Sequence, residues 1–322
     1  MAQSDKPPGA LKAWAGGTRL ALASAGPGLP VAVLLGLGSA GGFHLALGTI
    51  NVVKGLDDGT AGLVTQGLTG LAGFLGLYML VQFSKRWMGT ETTTGSWLPV
   101  LLFMPVALAT GSVAILRSAA QDFGMMAIMF TGMCFHLLYQ TFVGAAAAVV
   151  WVRAADAASR GESIGLGELL AEARTSFLRV AVPHGARIQA VAIGMQVLIP
   201  GIFYALQYAF VDMVAVLDPE RKEVLDRSGK LTWPLRRVIF RALLIWWLLY
   251  FGLWVLTVLI DGSGLVSAFI DPRVLSLPAL AAQEVLYAIS LWLFTTTMLF
   301  LYSWRLEQVR RRAEERRAAK QA

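Results

Sequence analysis

Residues 188–217 read IQAVAIGMQVLIPGIFYALQYAFVDMVAVL, an apolar run whose only formal charge is Asp212. As one helix it would extend about 45 Å at 1.5 Å per residue, well beyond the roughly 30 Å hydrocarbon core of a bilayer. Pro200-Gly201 interrupts it, the proline removing a backbone donor and crowding the preceding turn while the glycine loosens the next. The first half, Ile188 to Ile199, covers only about 18 Å of helix and is too short to cross. The stretch predicts a discontinuous, re-entrant helical pair broken at Pro200-Gly201, with a single kinked span as the alternative. Such a break persists at membrane depth only where protein or a polar cavity surrounds it.

The basic residues favour the re-entrant reading. Six other apolar runs are long enough to cross: Leu29 to Val53, Ala61 to Gln82, Trp97 to Leu116, Gly124 to Val152, Leu243 to Ile260 and Pro278 to Tyr302. Lys and Arg collect near the cytoplasmic ends of spans. If residues 188–217 enter and leave on one side, all of the 27 Lys and Arg except Lys54, Arg117 and Arg273 fall on that side. If the run crosses instead, the clusters at Arg221 to Arg241 and Arg305 to Lys320 fall outside. The expected architecture is therefore an all-α, polytopic transmembrane bundle of six full spans plus one discontinuous helix, with both termini cytoplasmic.

Composition agrees. The chain is 56% hydrophobic and 15% charged, against roughly 25% charged in ordinary soluble domains, and its mean hydropathy is +0.62. Long non-alternating apolar runs satisfy their backbone as helices rather than as barrel strands. The first run reads as a span and not a signal peptide, because about twenty residues precede it and further spans follow. The net charge of +7 is accounted for by span flanks, so no nucleic-acid partner is expected.

A single membrane domain covers 1–304, with a basic cytoplasmic tail at 305–322. Two interfacial amphipathic helices are expected. One lies near 163–186, where Leu166, Leu169, Leu170, Ala173 and Phe177 share a stripe opposite Glu168, Glu172 and Arg179. The other lies near 218–230, with Asp218 as cap, Pro219 at the first turn, Gly229 as stop, and Glu223/Arg227 and Asp226/Lys230 pairs. Trp87, Trp97, Trp151 and Trp304 fall near span ends, where indoles prefer to sit. Gly67, Gly70, Gly73 and Gly76 would let another helix approach closely.

Chemistry-bearing motifs are sparse. Gly161-Glu162-Ser163-Ile164-Gly165 matches the nucleophile-elbow string but lacks the strand and sheet it needs. Gly229-Lys230 with Thr232 lacks the spacing and strand of a phosphate loop. His44, His136 and His184 are far apart in sequence, and Cys134 stands alone, so neither a metal site nor a disulfide is expected. His136 and Gln140 share a helical face and suit an interhelical hydrogen bond. No catalytic residue and no cofactor is assigned.

Asp212 is the leading polar candidate, because a carboxylate in an apolar membrane segment calls for a partner or a hydrated cavity. Tyr204, Tyr208 and Asp212 fall at i, i+4 and i+8, with Gln207 beside them. Arg236 or Arg237 would serve as a structural partner. Glu284 is a second carboxylate, nearer a span end.

From about Arg160 to Leu249 the residues resemble bacterial YciC-like proteins and the membrane domain preceding some glycerophosphodiester phosphodiesterases. The resemblance lies in Gly161-Glu162-Ser163-Ile164, Leu198-Ile199-Pro200-Gly201-Ile202-Phe203-Tyr204, Asp226-Arg227-Ser228-Gly229-Lys230-Leu231-Thr232 and Trp233-Pro234-Leu235-Arg236-Arg237-Val238. It implies a membrane module without the hydrolase barrel, loosely tied to the envelope, and marks Pro200, Gly201, Arg227 and Ser228 as organising positions.

The leading expectation is a non-enzymatic protein of the bacterial inner membrane, of the YciC-like type, in contact with membrane lipids and open to membrane-protein partners or self-association. A transporter component is the second reading, favoured by any polar cavity reaching Asp212, Tyr208, Gln207 and Gln196. A membrane-embedded lipid enzyme is the third, and would need His44, His136 and a carboxylate to converge.

Overall fold

The computed structural model describes residues 6–87, 98–117, 124–195, 198–220, 223–265 and 275–321. Among them the chain is helical throughout, with no strand. The helices are α1 (Ala10–Ala23), α2 (Ala25–Lys54), α3 (Asp58–Trp87), α4 (Leu98–Arg117), α5 (Gly124–Tyr139), α6 (Ala145–Ser159), α7 (Leu166–Met195), α8 (Ile199–Gln207), α9 (Val211–Leu217), α10 (Val224–Thr232), α11 (Arg236–Asp261) and α12 (Leu277–Gln321). A π-helical turn, Gln140–Gly144, joins α5 to α6.

Among the described residues five segments are long and apolar enough to cross a membrane: Ala25–Ala46, Phe130–Ser159, Ile199–Leu217, Val224–Asp261 and Leu277–Ala319. The expected runs Ala61 to Gln82 and Trp97 to Leu116 are not among the five. Both are largely helical, as α3 and α4, but Trp97 lies outside the described residues.

α12 is the organising rod, packed against α1, α2, α6 and α11. Small residues let it approach its neighbours closely. A Cβ on Gly36 would collide with the backbone of Val285, and one on Gly17 with the backbone of Thr297. Buried Thr295, Thr296 and Thr297 turn their hydroxyls back onto α12, to the carbonyls of Leu291 and Leu293, which spares the interior unpaired donors. The main apolar core gathers Trp14, Val149, Val152, Leu169, Met213, Ile239 and Leu299 from α1, α6, α7, α9, α11 and α12, with Phe210 and Leu235 from the turns just before α9 and α11.

Buried aromatic donors tie the helices together. The Trp14 indole donates to Ala242 O at 3.2 Å, Trp151 to Gly28 O at 3.1 Å, and the Tyr139 hydroxyl to Leu35 O at 2.8 Å. Trp151 is thus a core residue rather than an interfacial anchor, because its N–H finds a backbone acceptor on α2. Asp57 starts α3 by accepting from Thr60 N at 2.9 Å, and the Thr60 hydroxyl and backbone N–H hold its carboxyl below the ordinary carboxylate range.

Four expectations change. The amphipathic stretch near 163–186 and the first half of the broken run are one continuous helix, α7, despite Pro183 inside it. Its inner stripe carries Leu169, Ala173, Ser176, Val180, Ala181 and His184, while Leu170 is exposed. The helix proposed near 218–230 starts later, at Val224. Asp218 closes α9 instead, and Gly229 sits inside α10 beside the Gln207 side chain. Of its two expected pairs, Asp226–Lys230 forms at 2.6 Å, whereas Arg227 meets Glu223 through the backbone. Gly67, Gly70 and Gly73 face open space in the described structure, with no neighbour within 4 Å of a built Cβ.

The string Gly161 to Gly165 is resolved as punctuation. Gly161 has φ +76°, and the amides of Gly161 and Glu162 bond back to Ala158 O and Ala157 O, a glycine-dependent stop for α6.

Candidate functional site

α7 ends at Met195 and α8 begins at Ile199. Pro200 occupies the first turn of α8, where its missing N–H costs nothing, so the discontinuity precedes the proline. α8 then runs back along α7. A Cβ on Gly194 would lie 2.6 Å from Gly201 N, and one on Gly201 would lie 2.5 Å from Met195 N. Two glycines seven positions apart are therefore in backbone contact, which only a reversal of the chain permits.

A second interruption separates α8 from α9 at Tyr208 to Phe210. Backbone groups left open there need partners, and α10 supplies them. Ser228, fully buried, accepts from Phe210 N at 3.2 Å and donates to Gln207 O at 3.1 Å, while Thr232 Oγ1 donates to the same carbonyl at 3.1 Å. Because α8 stops at Gln207, Tyr204, Tyr208 and Asp212 do not share one continuous helical face. The Tyr204 and Tyr208 rings stack at 5.8 Å. Arg227 is half-buried on α10, and Gln196 lies outside the described residues.

Asp212 sits in the first turn of α9, buried among Val211, Met213, Val214, Ala215 and Val216. Its partners come from α7, not from Arg236 or Arg237. His184 Nδ1 lies 2.7 Å from Oδ1, and Arg187 Nη1 donates to Oδ2 at 2.7 Å. A carboxylate can only accept, so Nδ1 carries the proton and donates. The neighbouring Arg187 Nη2, 3.3 Å from Nδ1, then makes a contact and not a second bond. His184 and Arg187 are three residues apart on one helix face, a spacing visible in the sequence but masked there by counting Arg187 among the topological charges.

Among the described residues His184 Nε2 is buried without a partner, as is Thr141 Oγ1 in the π-helical turn. A Cβ on Gly144 would lie 2.7 Å from Gln140 Oε1 and 3.4 Å from His184 Nε2, so the glycine of that turn keeps a polar corner open. Gln140, Gly144, His184, Arg187 and Asp212 thus form one polar cluster across the π-helical turn, α7 and α9. Gln140 meets this cluster, although the sequence pairs it with His136, whose ring lies 6.0 Å from Tyr287 instead.

The cluster can hold a charge, anchor α9 to α7 and offer Nε2 for a further hydrogen bond. It lacks a nucleophile bonded to Nε2, and no group of three or more metal-ligating side chains occurs among the described residues. Glu284, the second carboxylate, is separate and accepts from Ser39 Oγ at 2.7 Å between α12 and α2.

Fold and site together have the make-up of a multi-pass helical membrane protein with a buried ion pair on a discontinuous segment. No protein-family model, curated protein or solved structure matches the chain.

Proposed function

We propose that this chain is a non-enzymatic, multi-pass protein of the bacterial inner membrane, of the YciC-like type, with α7 to α9 dipping into the bilayer from the cytoplasmic side and both termini cytoplasmic. The observation that carries this reading is the reversal between Met195 and Ile199, with Gly194 against Gly201 and Asp212 clamped back onto Arg187. The helix continues from Arg187 to Met195 for about 12 Å, less than half of the roughly 30 Å core. Its tip offers exposed Leu198 and Ile199 to lipid. Returning to the same side keeps the Arg236, Arg237 and Arg241 cluster with the other basic residues, as the charge rule prefers. Glu223→Cys in a Cys134→Ser background tests it: the thiol reacts with an impermeant maleimide only after the cytoplasmic face is opened. Labelling from the periplasmic side would overturn the re-entrant reading.

A transporter component is the second reading, favoured by His184 Nε2, unpartnered among the described residues beside a discontinuous helix, and by the equally unpartnered Thr141 Oγ1 in the π-helical turn, since polar groups at broken helices are where substrate sites are commonly built. Thr141→Cys separates the two readings. Reaction with an impermeant thiosulfonate in intact membranes reveals a hydrated path and supports transport; protection from it supports a packed, structural cluster.

A further inference from the structure

Arg236 opens α11 where the short helix α10 gives way to the apolar run. Its guanidinium carbon lies 3.9 Å from the Trp233 ring centroid and 4.8 Å from that of Phe203 on α8. Two aromatic rings therefore fix the cation in place. Among the described residues no carboxylate pairs with it and no acceptor meets it. Among the described residues Nε is buried without a partner, and the residue as a whole is half-buried. A guanidinium held against two rings, with no hydrogen-bond acceptor among the described residues, is preorganised for an oxyanion.

The surroundings specify the anion. Arg236, Phe240, Leu244, Trp247 and Phe251 recur at spacings of three and four and so line one face of α11. All four apolar members are exposed, as are Trp233 and Phe203, and Trp247 stacks on Phe251 at 5.4 Å. An apolar stripe about 17 Å long, from Phe240 to Phe251, thus descends from a fixed cation. Arg237 and Arg241, both exposed, add positive charge at the same level. A headgroup phosphate with an acyl chain fits both parts at once, whereas a soluble phosphate uses only the first.

We propose that Arg236, fixed by Trp233 and Phe203, binds the phosphate of an anionic phospholipid whose acyl chain lies along Phe240, Leu244 and Trp247. The proposal rests on the membrane placement given above.

Native mass spectrometry of the full chain in detergent, titrated with phosphatidylglycerol and phosphatidylcholine, tests it. The wild type retains phosphatidylglycerol in preference, and Arg236→Gln lowers that retention roughly five- to tenfold, while the exposed tail variant Arg312→Gln leaves it unchanged. Trp233→Ala, at an exposed position, weakens retention without removing the charge and serves if Arg236→Gln does not fold. Equal retention by wild type and by either site variant overturns the proposal. An equal loss in Arg312→Gln shows a diffuse basic surface and also overturns it. Displacement of the lipid by millimolar glycerol phosphate assigns the site to a soluble phosphoester and overturns the lipid. Periplasmic labelling at position 223 is a separate measurement, so failure of the topology is distinguishable from failure of this site.

Discussion

Replacing Asp212 by Leu removes the acceptor of two charge-assisted hydrogen bonds, each 2.7 Å long. Bonds to charged groups contribute about 1.5–3 kcal/mol apiece, and breaking a buried ion pair by deleting one partner costs about 3–5 kcal/mol. The Arg187 side chain is 21% exposed, so its orphaned guanidinium can recover part of its hydration, which places the expected loss near the lower bound, about 3 kcal/mol. Asp212→Asn keeps one acceptor but leaves the Arg187 charge uncompensated, and should cost about half as much. The double variant Asp212→Leu with Arg187→Met removes both charges and should recover about 2 kcal/mol relative to the sum of the singles. Reversible unfolding in mixed micelles, followed by circular dichroism against a rising mole fraction of SDS, measures all four. A loss below about 1 kcal/mol for Asp212→Leu, or strict additivity in the double variant, would refute the account of the ion pair as the clamp between α7 and α9.

Gly201→Leu should destabilise strongly, because its side chain meets the Met195 backbone and the Gly194 turn, whereas Pro200→Ala should be mild, since the interruption lies before the proline; a larger loss for Pro200→Ala in the same titration would reverse that assignment. Ser228→Ala leaves Phe210 N unpaired in a buried position and should cost about 1–3 kcal/mol, with faster amide exchange at Phe210 as the local readout; unchanged exchange would show that α10 does not stitch the α8–α9 gap. Trp151→Phe keeps an aromatic ring in the core but loses the bond to Gly28 O, and should cost about 0.6 kcal/mol, the average for interhelical bonds in membrane proteins; a loss several times larger would mean that the ring shape dominates.

Apolar length made the helical, multi-span character legible, because backbone in lipid has few options. The local punctuation was harder to read. Pro200-Gly201 marks a discontinuity, but a proline at the first turn and a proline at a kink look alike until the flanking residues are placed. Asp218-Pro219 has the signature of a helix start, yet the chain uses Asp218 to close α9, since packing of α10 on α8 through Ser228 decides where that helix begins. Asp212 stood out by its cost in an apolar run. Its partners did not, because His184 and Arg187 lie beyond Pro183 in a stretch that also reads as an amphipathic surface helix. The π-helical turn at Gln140 to Gly144 carries no distinctive residue pattern, so its place beside His184 emerges only from the packing of α5 and α6 on α7.

α12 runs unbroken from Leu277 to Gln321. Its packing against the bundle reaches Val309, Arg312 to Ala319 are exposed, and the Glu307–Arg311 pair lies at the root of that exposed stretch. A rigid shaft of about 15 Å therefore leaves the bundle in register with the rod that α1, α2, α6 and α11 grip. Torque applied to its outer end would not be absorbed by a hinge. It would turn the rod itself, and with it the bed on which the other helices lie.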